Sequence, residues 1–188
     1  MNNKEKMLAG ELYDATDAEL AKERLLAKDM CYEFNNLRPS DLEAQTKLFH
    51  SLLGKSGENI SIMGPFYCDY GYNIEVGENF FANHNTVILD CAKVVFGDNV
   101  LIGPNCGFYT AGHPVNYRER NACLEYAKSI RVGNNVWVGA GVHVMPGVTI
   151  GSNVVIAGGS VVVKDVPDNV MVAGNPCHII KRLEEVGK

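Results

Sequence analysis

Between Val132 and Val166 the hydrophobic and polar positions recur with a period of six. Aliphatic residues fall at Val132, Val138, Val144, Ile150, Ile156 and Val162, and a second small residue follows four places later at Val136, Val142, Val148, Val154, Ser160 and Val166. With roughly a quarter of positions aliphatic, six successive hits arise by chance about once in several thousand. An amphipathic helix repeats near 3.6 and a strand at two, so neither alone gives a period of six. Short strand steps joined by a corner do. The residues between the hits suit corners: Gly133, Gly139, Gly147, Gly151, Gly159, Asn135, Asn153 and Asp165. Glycine and asparagine tolerate the positive φ that such corners require. The pattern predicts a prism of short parallel strands, each turn stacked on the last around a shared aliphatic core.

Upstream, the hexads begin weakly near Ile60 and strengthen at Val76, Ala82 and Ile88. They then slip by two residues to Phe96, Ile102 and Phe108, which implies a bulged corner or small insertion around Cys91 to Val95. The pattern stops at His113 and resumes near Ile130. The intervening HPVNYRERNACLEYAKS is too polar and irregular for a coil rung, and a loop of this length inside a compact repeat is uncommon unless it has a task. Residues 1–57 carry no hexad and read as a helical cap. Thr16 with Glu19, and Ser40 with Glu43, make two capping boxes. The first opens a helix to about Asn35 bearing Leu20, Leu25, Met30 and Phe34. The second opens a helix with Leu42, Leu48, Phe49 and Leu52, ended by Gly54. The division is therefore a cap over 1–57, a coil over 58–173 with a loop at 113–129, and a closing turn and helix over 174–188, with His178 to Glu185 helical.

Composition narrows the possible partners. A net charge of −5 over 188 residues argues against nucleic-acid or anionic-membrane binding. The first residues lack the apolar run of a signal peptide and no segment approaches a membrane span, so a cytoplasmic setting is expected. The six cysteines contain no CxxC, which disfavours zinc-ribbon and thioredoxin-like sites. Small buried hydrophobes are the expected role for most of them.

Several runs resemble the hexapeptide-repeat acyltransferases, and among them the maltose and galactoside O-acetyltransferases. They are EKMLAGELY, CDYGYNIEVGENFFAN, YTAGHPVNYRER, GNNVWVGAGVHVMPGVTIGSNVVIAGGSVVVKDVPDNV and AGNPCHIIKRL. The resemblance implies a left-handed parallel β-helix of about three hexads per turn with an N-terminal helical cap and a short C-terminal helix. It also implies a homotrimer, acetyl-coenzyme A as co-substrate, no metal, and a sugar hydroxyl as acceptor. The left hand comes from the resemblance, since period alone does not set the sense and parallel crossovers are ordinarily right-handed.

The same resemblance assigns residues. His113 stands where the coil yields to the loop, and an imidazole has the proton affinity to take a hydroxyl proton and return it to a leaving thiolate. From the residues alone, a surface loop histidine is an equal reading. Asn83 matches the asparagine that steadies the developing oxyanion. Asp69 and Asp90 fall in rungs that face the acceptor, with Asp14 and Asp17 as further candidates, the latter also suited to a helix start. Ala140, Gly158, Val163, Lys164, His178 and Lys181 match coenzyme contacts, and Arg182 joins the lysines as a phosphate partner. Relatives often carry arginine where His178 and Lys181 stand, so these two depart from the pattern. Trp137 reads as packing beside the coenzyme groove, His84 and His143 as structural, and His50 as a cap residue. No two histidines have the spacing of a zinc pair. Two rivals stay open: a non-sugar or amino-sugar acceptor, and a non-catalytic coil used as a scaffold.

Overall fold

The computed structural model describes residues 1–184. Three parallel sheets form the faces of a prism. The first face holds Lys55–Ser56, Ile74–Val76, Val94–Phe96, Ile130–Val132 and Thr149–Ile150. The second holds Ile60–Ile62, Phe80–Ala82, Val100–Ile102, Val136–Val138, Val154–Ile156 and Val170–Gly174, with a final strand Cys177–Arg182. The third holds Phe66–Cys68, Thr86–Leu89, Gly107–Tyr109, His143–Val144 and Val161–Val162. The chain visits the faces in that order on every turn. All twelve residues of the two predicted columns between Val132 and Val166 are 4% exposed or less. Burial of such aliphatics at roughly 25 cal/mol per Å² is the main force holding the turns together.

The corner between the first and second faces is a ladder of asparagines. Asn79, Asn99, Asn135, Asn153 and Asn169 all have φ between 55° and 58°. Their side-chain amides pass hydrogen bonds up the stack, Asn59 to Asn79 at 2.6 Å, Asn79 to Asn99 at 2.9 Å and Asn153 to Asn169 at 2.8 Å. Asparagine supplies both the left-handed backbone and the ladder, which a glycine could not.

Helices α1 (Asn3–Ala9), α2 (Ala18–Asn36) and α3 (Leu42–Leu52) cover the first turn. α1 was not expected from the hydrophobic pattern. Its signal is polar: Asn2 and Glu5 form a reciprocal capping box, and Gly10 closes the helix at φ 76°. The caps of the other two helices lie one residue beyond the expected ones. Asp17, not Thr16, accepts from the N–H groups of Glu19 and Leu20, and Asp41, not Ser40, accepts from Ala44. A carboxylate also complements the helix dipole at that end, an advantage a hydroxyl lacks. Leu25 and Leu42 face solvent, while Phe34, Phe49 and Phe66 stack between cap and coil with ring centroids 4.2 and 5.4 Å apart. Cap and coil thus share one continuous core.

The C-terminal helix is overturned. Cys177–Arg182 is a strand running antiparallel to Val170–Gly174, with Gly174 opposite Cys177 and Ala173 opposite His178. Asn175-Pro176 makes a two-residue hairpin turn, and the free edge of the second face offers unpaired backbone groups that a helix would leave unmet. The part of the expected helix beyond Glu184 lies outside the described residues.

Candidate active site

Inward side chains are six residues apart at two of the three corners, as from Val76 to Ala82 to Ile88 or from Val132 to Val138 to Val144. Only the corner between the third and first faces varies. It spans Cys68 to Val76, Ile88 to Phe96, Phe108 to Val132, Val144 to Ile150 and Val162 to Val166. Successive turns accordingly hold 20, 20, 36, 18 and 16 residues. The slip near Cys91 recurs one turn earlier at Asp69–Asn73, and the loop is the largest excursion of the same corner.

The loop is itself ordered. Ala111–Gly112 and Leu124–Ala127 pair antiparallel, and Tyr13–Asp14 adds a third strand from the N-terminal segment. Between them lies α4 (Tyr117–Asn121), capped by Asn116, and Arg120 braces the carbonyls of Pro114 and Val115 at 3.0 and 3.2 Å. A second, smaller apolar cluster holds this flap to the corner, with Met7, Tyr13, Leu20, Tyr70, Cys91, Ala92 and Ala127 as members.

His113 projects from the flap with its side chain 55% exposed, and its Nε2 lies 3.7 Å from Glu125 Oε1. The other oxygen of Glu125 accepts a 2.8 Å hydrogen bond from the buried Tyr13 hydroxyl. Cys91 sits beside Tyr13 and donates to Asp69 Oδ2 at 3.5 Å. Glu125 thus joins His113 to Tyr13, Cys91 joins the same buried cluster to Asp69, and Tyr13 and Cys91 lie side by side in that cluster. Burial pushes the Tyr13 hydroxyl and the Cys91 thiol well above their ordinary ranges, so both stay protonated donors and Cys91 is no thiolate nucleophile. Burial also raises the Asp69 carboxyl, with the Cys91 thiol and Arg24 acting against it.

Glu125 was missed by the sequence reading. Its one signal is that Leu124–Ala127, placed within a polar loop, has the composition of a strand that could present a side chain beside His113.

The candidate carboxylates separate. Asp69 is partly exposed and lines a cleft of about 450 Å³ between α2 and the third face, together with Lys28, Tyr32 and Tyr67. Asp90 is wholly buried, which removes it from direct contact with an acceptor. Its carboxylate turns into the corner, accepting from the N–H groups of Asp69 at 3.0 Å, Tyr70 at 2.8 Å and Asn73 at 3.3 Å. Burial pushes its pKa up to about 6 despite these donors. Asp90 thus shapes the turn that presents Asp69. Asp14 spends its carboxylate on the backbone N–H and hydroxyl of Thr16, which lowers its pKa, and Asp17 caps α2.

Asn83 stands on the other edge of the third face, at the corner that follows Phe80–Ala82. Its Oδ1 accepts from the His84 N–H at 2.8 Å, leaving its Nδ2 donors for another partner. Ala140 and Gly158 lie on the same corner in later turns, where the N–H of Gly159 bonds the Ala140 carbonyl. At about 4.8 Å per turn, Asn83 and Gly158 are roughly 14 Å apart along one edge. Val163 and Lys164 lie on the variable corner with His113, and His178, Lys181 and Arg182 are exposed on the final strand. One chain therefore does not gather the expected residues. His113, Val163 and Lys164 line one edge of the third face and Asn83, Ala140 and Gly158 the other, about 10 Å away across a three-residue strand. His178, Lys181 and Arg182 lie on the final strand of the second face. His143, between the two edges, stacks on Tyr109 and meets its hydroxyl at 3.0 Å. Among the described residues no three potential metal ligands are grouped, and no helix is long and apolar enough to cross a membrane.

Comparison with known proteins places this geometry. Residues 6–57 match the maltose acetyltransferase hexapeptide capping motif, and residues 129–164 match the six-repeat bacterial transferase hexapeptide. The galactoside O-acetyltransferase of Escherichia coli K12 is 43% identical over 98% of this chain and 91% of its own. The structure of a maltose O-acetyltransferase from Clostridium difficile 630 superposes with a TM-score of 0.97 at 47% identity, covering 98% of this chain and 99% of that one. A hexapeptide-repeat acetyltransferase from Vibrio cholerae O1 biovar eltor, solved with acetyl-coenzyme A, gives 0.89 at 39% identity, covering 98% of this chain and all of that one (100%).

Proposed function

The chain belongs to the maltose/galactoside O-acetyltransferase family of hexapeptide-repeat transferases, and from that premise we propose that it moves acetyl from acetyl-coenzyme A to a sugar hydroxyl. The observation that carries this reading is the exposed His113 braced beside Glu125 on the flap, on the same variable corner as Asp69 at the cleft. His113 removes the proton from the acceptor hydroxyl, and the oxygen attacks the acetyl carbonyl. The amide of Asn83 stabilises the tetrahedral oxyanion, a contribution of a few kcal/mol for one such donor. The thiolate of coenzyme A then leaves and takes the proton from the imidazolium. Asp69 receives acceptor hydroxyls by charge-assisted hydrogen bonds. Ala140 and Gly158 keep their edge low for the pantetheine arm, and Lys164, Lys181 and Arg182 take the phosphates.

Because His113 and Asn83 occupy different edges, we place the site between subunits of a homotrimer. The edge bearing His113 in one chain meets the edge bearing Asn83 in the next, a heterologous contact that closes after three copies. Two surfaces favour such assembly. Phe81, Leu101, Trp137, Val155 and Met171 stand in register on the outside of the second face. Leu101 and Trp137 are 50% and 57% exposed, and Val115 beside His113 is 96% exposed. An apolar ladder of this kind marks an interaction surface.

Two measurements test this. Glucose, maltose, galactosides and glucosamine are assayed with acetyl-coenzyme A and a thiol reagent, and turnover with none of the hydroxyl acceptors refutes the sugar reading. Separately, His113→Ala and Asn83→Ala chains, each inactive alone, are unfolded and refolded together. Random trimers with shared sites regain about a quarter of parental activity, because one site in four draws both intact residues. No recovery refutes the shared site.

A further inference from the structure

Cys31 on α2 and Cys68 on the strand Phe66–Cys68 bring their Sγ atoms to 3.7 Å. They belong to different parts of the molecule, one to the cap and one to the coil. Both line the cleft that Asp69 also lines, and both are nearly covered, at 2% and 5% exposure. Tyr32 and Tyr67 at its rim are 71% and 50% exposed, so the cleft is open to small solutes. Cys91 and Cys106, also buried, meet an aspartate oxygen and backbone carbonyls rather than another sulfur.

We propose that Cys31 and Cys68 form a peroxide-sensitive dithiol that closes to a disulfide, ties the cap to the coil and reshapes the cleft beside Asp69. A hydrogen bond from Cys68 holds the Cys31 thiol below its ordinary range, which makes Cys31 the attacking group. The Cys31 thiolate attacks one oxygen of hydrogen peroxide, the O–O bond breaks and hydroxide leaves, giving a sulfenic acid. The Cys68 sulfur then attacks the Cys31 sulfur and displaces the second oxygen as water. Two thiols lose two electrons and two protons, peroxide gains them, and two waters form. The sulfurs must close from 3.7 Å to about 2.0 Å, a movement of roughly 1.7 Å. That movement draws α2 onto the third face at the residue preceding Asp69. Reduction by a dithiol reverses the step.

The unmutated protein decides the matter. It is treated with submillimolar peroxide, alkylated, digested and weighed. A Cys31–Cys68 peptide pair lighter by two hydrogens, lost after dithiothreitol, is the expected product. The oxidised protein should also melt several degrees higher, since the bond closes a 37-residue separation. Recovery of Cys31 and Cys68 as free thiols under conditions that oxidise the exposed Cys123 overturns the proposal, as does oxidation of either without a cross-link. Phenylarsine oxide, whose arsenic bridges close sulfur pairs, should bind one per chain and block the cross-link; binding unaffected by Cys31→Ser would overturn it too. The effect on catalysis rests on Asp69 contacting the acceptor: oxidation should raise the acceptor KM severalfold and leave that for acetyl-coenzyme A unchanged. A cross-link without this change refutes the reshaping of the cleft, and a chain inactive with every sugar leaves the mass and melting tests fully decisive.

Discussion

Two corners of one prism follow opposite rules. At the corner before the second face, each turn repeats the same asparagine geometry and the same six-residue step. At the corner before the first face the excursion changes length along the coil, and there the chain places Asp69, Asp90 and the flap bearing His113. The physical reason is that a stacked coil ties inward side chains and corner amides to their counterparts above and below. A length change is tolerated only where it leaves both neighbouring strands in register. One corner has taken all of these changes, and the proposed base and acceptor carboxylate fall on it, whereas the proposed oxyanion donor Asn83 stands on a regular corner.

The comparison is broken first by exchanging its two sides. Ile156→Ala removes a wholly buried side chain from the regular coil. It should cost about 2–5 kcal/mol in denaturant unfolding, while the folded fraction keeps normal acetyl transfer. A loss below about 1 kcal/mol would mean the coil core is not tightly packed at that rung. His113→Ala should do the reverse. Its kcat should fall by at least about a hundredfold with unfolding stability within about 0.5 kcal/mol of the parent. Near-normal turnover in that variant would remove the proposed mechanism.

A subtler difference lies in pH. The pKa of Asp90 is pushed up to about 6 in the folded chain, above its ordinary 3.8. The folded state therefore binds this proton more tightly than the unfolded state. The resulting stability is full below about pH 4 and is lost as pH rises through 6, on the order of 3 kcal/mol in all. Asp90→Asn should flatten most of that slope when its unfolding curve is subtracted from the parent's between pH 4 and 7. Asp69, also raised, retains a slope of the same sign. Parallel curves for parent and variant would show that Asp90 is ionised in the corner at low cost.

Legibility followed the same division. The columns from Val132 to Val166 were readable because a strict repeat imposes burial at fixed positions, and every one of those positions is buried. His113 and Asp69 are named from motifs, and the structure puts both at the variable corner. Glu125 was not, because its place depends on a hairpin between Ala111–Gly112 and Leu124–Ala127 that follows no repeat. Asp90 was misjudged since its rung position says nothing of the direction its carboxylate takes, and three backbone donors draw it inward. The final strand was misjudged because CHIIKRL has no clean period, and the open edge of the second face chose its conformation. The separation of Asn83 from His113 could not be read from spacing either, because it depends on which corner each turn assigns to them.

The smallest expected effect concerns the two lysines on opposite features. Lys164 is exposed on the variable corner, and Lys181 is exposed on the final strand opposite Met171. If both hold phosphates of acetyl-coenzyme A, each exchange for alanine should raise its KM about two- to fivefold, the scale of exposed charge pairs. Together they should multiply, since they belong to separate elements and share no contact. kcat at saturation should hold, because contacts remote from the acetyl carbonyl stabilise ground and transition states alike. The loss should shrink as salt rises, with screening over about 10 Å at 0.1 M ionic strength. Dephospho-coenzyme A, lacking the 3′-phosphate, should lose its sensitivity to whichever lysine contacts that group. A double variant with the parental KM at low salt would leave both lysines as solvated surface and move the phosphate site to other cations, with Arg182 on the final strand the first to replace.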